Sequence, residues 1–152
     1  MFPCLWVNYG HAAENISITE QTQLSFAQLE IPVSGSETIT IDPGTGSYSG
    51  TGTVQIGVPT AGSYKIKRSG NGPSTSCTID IQNINSGDAA LTINNFTGVY
   101  DTTTIASFPR SELPKPSGGQ GTTLYLGATA QYTSSVPTGT LTPSFDIVVT
   151  LQ

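Results

Sequence analysis

Side chains able to do covalent or metal chemistry are few in this sequence. His11 is the single histidine, and it lies in an N-terminal stretch unlike the rest of the chain. A Ser-His-Asp or Cys-His pair therefore finds no base in the body of the protein. Cys77 without a histidine cannot supply an ordinary zinc or copper site. Gly118-Gly-Gln-Gly121 precedes strand-like alternation, not a helix, and no phosphate loop with its following Lys is present. The ten carboxylates are scattered from Glu14 to Asp146. Glycosidase chemistry needs two of them facing one another across a cleft, and no pair is marked out. Asp42 and Asp88 read as turn formers, and Asp80 and Asp146 as outward strand residues. The spaced acids of a dedicated calcium loop are absent. The expectation is a non-enzymatic protein that needs no cofactor and no metal.

Two features point instead to binding. Tyr100, Phe108 and Tyr125 flank the longest segment without clear alternation, and exposed rings there could stack on sugar faces. The alternative for each is packing against that same loop. Lys65, Lys67 and Arg68 form the one basic cluster, with Lys65 and Lys67 on one face of a strand. They read as an anion or partner contact, or as charge that discourages edge pairing on an exposed strand. Asn15-Ile-Ser17 and Asn95-Phe-Thr97 match a glycosylation acceptor pattern that arises readily by chance in a chain with 23 Thr and 17 Ser.

The elements that would carry these residues alternate with period two. Ile16 and Ile18 open an even-numbered series that reaches Leu24 and Phe26. Ile39 and Ile41, Val54 to Val58, Tyr64 and Ile66, Cys77 to Ile81, and Leu91 and Ile93 repeat the pattern. A longer run goes from Leu124 to Tyr132. Phe145, Ile147, Val149 and Leu151 form the last one. Such alternation turns one face of each segment to a core and the other to water, and Thr on the outer positions suits the pleat. Asp42-Pro-Gly, Ala61-Gly62, Gly70-Asn-Gly-Pro73, Ser86-Gly-Asp88 and Pro137-Thr-Gly139 punctuate the runs as turns. The phase changes between Phe26 and Leu29, which predicts a bulge or a change of sheet near Ala27-Gln28. Gly98 to Gly121 reads as the longest irregular segment, a binding loop or a solvated excursion.

At 152 residues and a net charge of -5, with 10% charged residues, the chain has one domain's length. It lacks the Ala, Glu, Lys and Leu of a helical bundle and the basic residues of a nucleic-acid binder. It has no apolar run long enough for a membrane-spanning helix. Residues 1–13 hold the only Trp and one of the two Cys, and they end on Gly10-His11-Ala12-Ala13, small residues suited to a signal peptidase. They read as a signal peptide whose basic start is truncated, ahead of a single domain over 14–152. Cys77 is then a buried, inert thiol, or is joined to Cys4 if the leader stays.

The order of motifs resembles a known family. Leu24-Ser-Phe26 is followed by Glu37-Thr-Ile-Thr-Ile-Asp42, Gly50-Thr-Gly-Thr-Val-Gln-Ile56 and Gly62-Ser-Tyr-Lys-Ile66. Leu91-Thr-Ile-Asn-Asn-Phe96, Leu124-Tyr-Leu-Gly127, Pro137-Thr-Gly-Thr-Leu141 and Phe145-Asp-Ile-Val-Val-Thr-Leu151 come later. This resembles an uncharacterised family of secreted bacterial β-sandwich domains, similar in pattern to spore coat protein U and archaic chaperone–usher pilins. The resemblance implies an exported subunit of a surface filament, pilus or coat, with copies of itself and a periplasmic chaperone as partners.

The fold expected is all-β: an Ig-like, pilin-like antiparallel sandwich of about eight short strands. The run Phe145, Ile147, Val149, Leu151 is the candidate acceptor edge for strand addition, and the tail bearing Ile16, Ile18 and Leu24 the candidate donor. Glu20 and Thr22 fall on inward positions of that tail, so the tail can equally be the chain's own first strand. The alternative function is a monomeric carbohydrate-binding or adhesin module built on Tyr100, Phe108 and Tyr125.

Overall fold

The computed structural model describes residues 14–152, and these form strands and turns without a helix. The leader expected over 1–13 and a Cys4–Cys77 bridge lie outside the described residues. Among the described residues no helix is long and apolar enough to cross a membrane.

The alternating runs become β1 (Asn15–Thr22), β2 (Gln28–Leu29), β3 (Ser36–Ile41), β4 (Tyr48–Gly50), β5 (Val54–Ile56), β6 (Gly62–Ser69), β7 (Ser76–Asn85), β8 (Leu91–Tyr100), β9 (Thr103–Ile105), β10 (Arg110–Pro114), β11 (Thr122–Thr133) and β12 (Ser144–Leu151). The class is as expected. The strand number exceeds about eight because several runs split and because Gly98–Gly121 is not one irregular loop. That stretch holds the end of β8, all of β9, and β10, which pairs with β7.

β11 organises the larger sheet. Leu124 to Leu126 pair with both β6 and β8, and Thr129 to Tyr132 with both β3 and β8. A strand has two edges, so β8 takes one along its length, and β6 and β3 share the other in succession. Gly127 sits at the handover; a Cβ there would lie 2.1 Å from the Ile41 carbonyl oxygen. β1 adds to the far side of β6, β4 to β3 and β9 to β8. The basic cluster therefore lies on a strand flanked by β1 and β11, and an edge-blocking role for Lys65 and Lys67 is set aside. The second sheet runs β10-β7-β12, and β2-β5 make a small ribbon.

The two sheets close over Tyr64, Ile66, Cys77, Ile79, Ile93, Phe96, Tyr100, Leu113, Leu124, Leu126 and Val149. Ala128 and Ala130 are inward and buried on β11, small enough to leave room for the larger side chains opposite. Each fully buried aliphatic side chain contributes about 1.5–3 kcal/mol.

Three of the register shifts change the phase of alternation on strands that line the core. β7 slips between Gln82 and Asn85 against β12, β8 between Asn94 and Thr97 against β11, and β10 between Arg110 and Leu113 against β7. Each slip carries one non-glycine residue at positive φ: Asn83 (50°), Asn95 (48°) and Glu112 (57°). The extra residue moves inward positions from odd to even, so that Ile93 and Phe96 both reach the core. The phase change near Ala27, where φ is 61°, falls where the chain passes from the larger sheet, through the Ser25–Thr60 bridge, to the β2-β5 ribbon.

Candidate functional site: the β1 and β12 edges

β12 and β1 are end strands of opposite sheets, each with one strand neighbour among the described residues. The segment before β7 brings them together. The Thr75 amide donates to the Gln152 carbonyl at 2.8 Å, just past β12, and the Ser74 hydroxyl donates to the Glu14 carboxylate, just before β1. Phe145 of β12 meets Tyr64 of β6, the neighbour of β1, ring edge to ring face at 6.3 Å. The two edges therefore border one flank of the sandwich.

The backbone of β12 has a definite polarity. Gln152 and Ser76 exchange both amide bonds, at 2.9 and 3.2 Å. The register is unbroken from there back to Asp146↔Gln82. Bonded and non-bonded pairs alternate in an antiparallel ladder. Leu151↔Cys77, Val149↔Ile79 and Ile147↔Ile81 are therefore the non-bonded pairs, and the N–H and C=O groups of Ile147, Val149 and Leu151 point away from β7. Their side chains turn inward. Val149 is buried, while Ile147 and Leu151 are only half-buried against the core. The expected acceptor residues Phe145, Ile147, Val149 and Leu151 thus lie together on one strand facing the core.

The expected donor residues are placed differently. Ile16 and Ile18 lie on β1, which pairs antiparallel with β6 of the same chain, Ile18 opposite Ile66. Both are half-buried against the core. Leu24 lies beyond the end of β1, beside Gly62. Within one chain β1 meets β6, and it forms no ladder with β12.

Sequence reasoning missed what fastens β1. Arg68 donates to the Glu14 carboxylate at 2.7 Å, and the Glu14 side chain is 5% exposed. The Ser74 hydroxyl, and after it the Arg68 guanidinium, hold the Glu14 carboxyl below the usual carboxylate value, against the burial that would raise it. These residues lie 54 and 60 positions from Glu14, a separation with no local signature. Beyond Glu14 and the two isoleucines, Thr19 to Thr22 are exposed.

The three candidate ligand rings separate. Tyr100 is fully buried, a correction to its expected exposure; inward alternation after the Asn95 bulge turns it to the core. Phe108 is half-buried against Gly98. Tyr125 is 44% exposed on the outer face of β11 and borders an open depression of about 510 Å³, a size within the range of small-molecule sites. Cys77 is buried, donates to the Pro114 carbonyl at 3.4 Å and has its thiol pushed up to about 11 by burial. It is an inert thiol.

A family model described as "Domain of unknown function (DUF4402)" matches residues 16–150. The chain belongs to that family. No curated protein and no solved structure matches it.

Proposed function

Taking membership of this family as the premise, we propose that the protein is an exported, non-enzymatic structural subunit of a bacterial surface filament, pilus or coat. Its copies join by β-strand addition at the β12 edge. The observation that carries this reading is the outward backbone of Ile147, Val149 and Leu151 beside the half-buried inward side chains of Ile147 and Leu151. A neighbouring strand supplies the missing amide partners and covers the apolar rim in one step. The strand of the neighbour is β1, which stays on its own β6. Two different edges meeting head to tail generate a ring or a helical filament rather than a closed two-fold dimer.

Other features support the same reading. The low charge limits repulsion between packed copies. The motif order resembles spore coat protein U and archaic chaperone–usher pilins, whose resemblance also implies a periplasmic chaperone. Residues 1–13 read as an export leader.

The test is sedimentation and negative-stain electron microscopy of the full chain beside Ile147→Pro. Proline is tolerated at a strand edge where its missing N–H faced outward, so the monomer keeps its fold at a cost of about 1–2 kcal/mol. The wild-type chain is expected to form concentration-dependent oligomers with a regular repeat, and the variant to stay monomeric. A wild-type chain that remains monomeric at high concentration, or a variant that assembles as well as the parent, contradicts the proposal.

A further inference from the structure

The depression beside Tyr125 lies apart from both edges: Asp101, Lys115, Ser117, Thr122, Thr123 and Tyr125 line it, and no residue of β1 or β12 does. Its parts come from three places in the fold. Tyr125 and Thr123 are two apart on β11, so they share the outer face. Asp101 stands opposite Thr123, its amide donating to the Thr123 carbonyl at 3.3 Å. Lys115 and Ser117 arrive from the segment after β10; the Ser117 amide donates to the Thr122 hydroxyl at 3.1 Å, and the Lys115 amine to the Ser74 carbonyl at 2.8 Å. An exposed aromatic ring thus shares the depression with a carboxylate, an amine, the Thr123 and Ser117 hydroxyls, and Pro114 and Gly121.

From this juxtaposition we infer that the depression is a carbohydrate subsite for neutral sugars, with Tyr125 as the stacking platform. The chemistry selects the ligand class. Asp101 and Lys115 carry opposite charges and both line the depression, so an anion meets Asp101 and a cation meets Lys115. A neutral polyol gains from both, because sugar hydroxyls donate to a carboxylate and accept from an amine, and one of the three Lys115 N–H groups is taken by the Ser74 carbonyl. The ring supplies the apolar contact that a sugar face needs, and the charged and hydroxyl groups beside it favour a ligand that carries hydroxyls of its own. Asp101 itself occupies a position that favours glycine. Tyr100 pairs with Thr103 across a two-residue turn, and Asp101 at its first central position has φ of 54°. No residue of β1 or β12 lines the depression, so a failed binding test leaves the strand-addition reading untouched.

The experiment is amide chemical-shift titration of the full chain with cellobiose, maltotriose, mannobiose, lactose and N,N′-diacetylchitobiose. N-acetylneuraminic acid and inorganic phosphate serve as charged comparators. At least one neutral saccharide is expected to bind at about millimolar Kd or tighter and to shift the amides of Asp101, Thr123 and Tyr125. Tyr125→Phe keeps the ring and the affinity, whereas Tyr125→Ala loses about tenfold or more. Asp101→Asn tolerates the positive φ, so it reads the carboxylate even if Tyr125→Ala fails to fold, and it weakens binding severalfold. The inference is overturned if no neutral saccharide binds, if only the charged comparators bind, if the shifts map elsewhere, or if Asp101→Asn and Tyr125→Ala both bind as the parent does.

Discussion

Glu14 ties the start of β1 to β6 and to the segment before β7 through Arg68 and Ser74. Its carboxyl is held below the ordinary value of 4.5. The stabilisation is therefore complete above that value and is lost as pH falls through the lower, folded-state pKa. Hydrogen exchange at the β1 amides is expected to accelerate on acidification in that window, and Glu14→Gln is expected to flatten the response. Asp42 is held low as well, by the Thr45 amide and then its hydroxyl, so global stability keeps some acid dependence in the variant while β1 does not. Two backbone positions give sharper stability outcomes. At Gly127 a Cβ would meet the Ile41 carbonyl at 2.1 Å and Pro43 at 2.8 Å, in the middle of the sheet. Gly127→Ala is expected to cost about 3 kcal/mol or more in chemical denaturation. Ala27 holds φ at 61°, a conformation that costs an L-residue about 1 kcal/mol relative to glycine, so Ala27→Gly is expected to be neutral or stabilising by up to about 1 kcal/mol. A destabilised Ala27→Gly would show that its methyl packing outweighs the backbone strain.

At the scale of elements, β1 decides how copies join. Ser17 and Lys67 stand opposite one another on β1 and β6, both exposed, so their Cβ atoms lie within disulfide reach. Ser17→Cys with Lys67→Cys is expected to lock β1 in place and leave assembly intact. Loss of assembly in the locked, oxidised chain, with recovery on reduction, would show instead that β1 is donated. Much of this layer was legible in the sequence. Alternation located β1, β6, β11 and β12 and their inward faces, because one buried face imposes period two. The rest depends on partners far away in the chain. The bulges at Asn83, Asn95 and Glu112 change phase where no Gly marks them, which hid β10 inside an apparent loop and disguised Tyr100 as an exposed ring. That β6 is flanked on both sides, and that Arg68 serves Glu14, follow from pairings about fifty residues apart, which alternation does not encode. Asp42 was legible because its carboxylate accepts from the Gly44 and Thr45 amides, each at 2.8 Å, a contact local enough to leave a sequence signature.

For the whole molecule, the two flanks of the sandwich differ in how completely their margins are covered. The β8–β10 side carries Tyr100, Ile105 and Leu113, all buried, while the β1–β12 side carries Ile16, Ile18, Ile147 and Leu151, all half-buried. Apolar margins left half-covered beside outward backbone groups are a template for another strand. Tyr125 stands on the outer face of β11, and no residue of β1 or β12 lines the depression beside it. The amides of Ile147, Val149 and Leu151 report most directly on the proposed contact. Their hydrogen exchange, measured in dilute chain and again at assembling concentration, should slow together on assembly, while amides already bonded to β7, such as Val148, change less. Assembly that leaves those three amides as fast as in the dilute chain would contradict strand addition at β12.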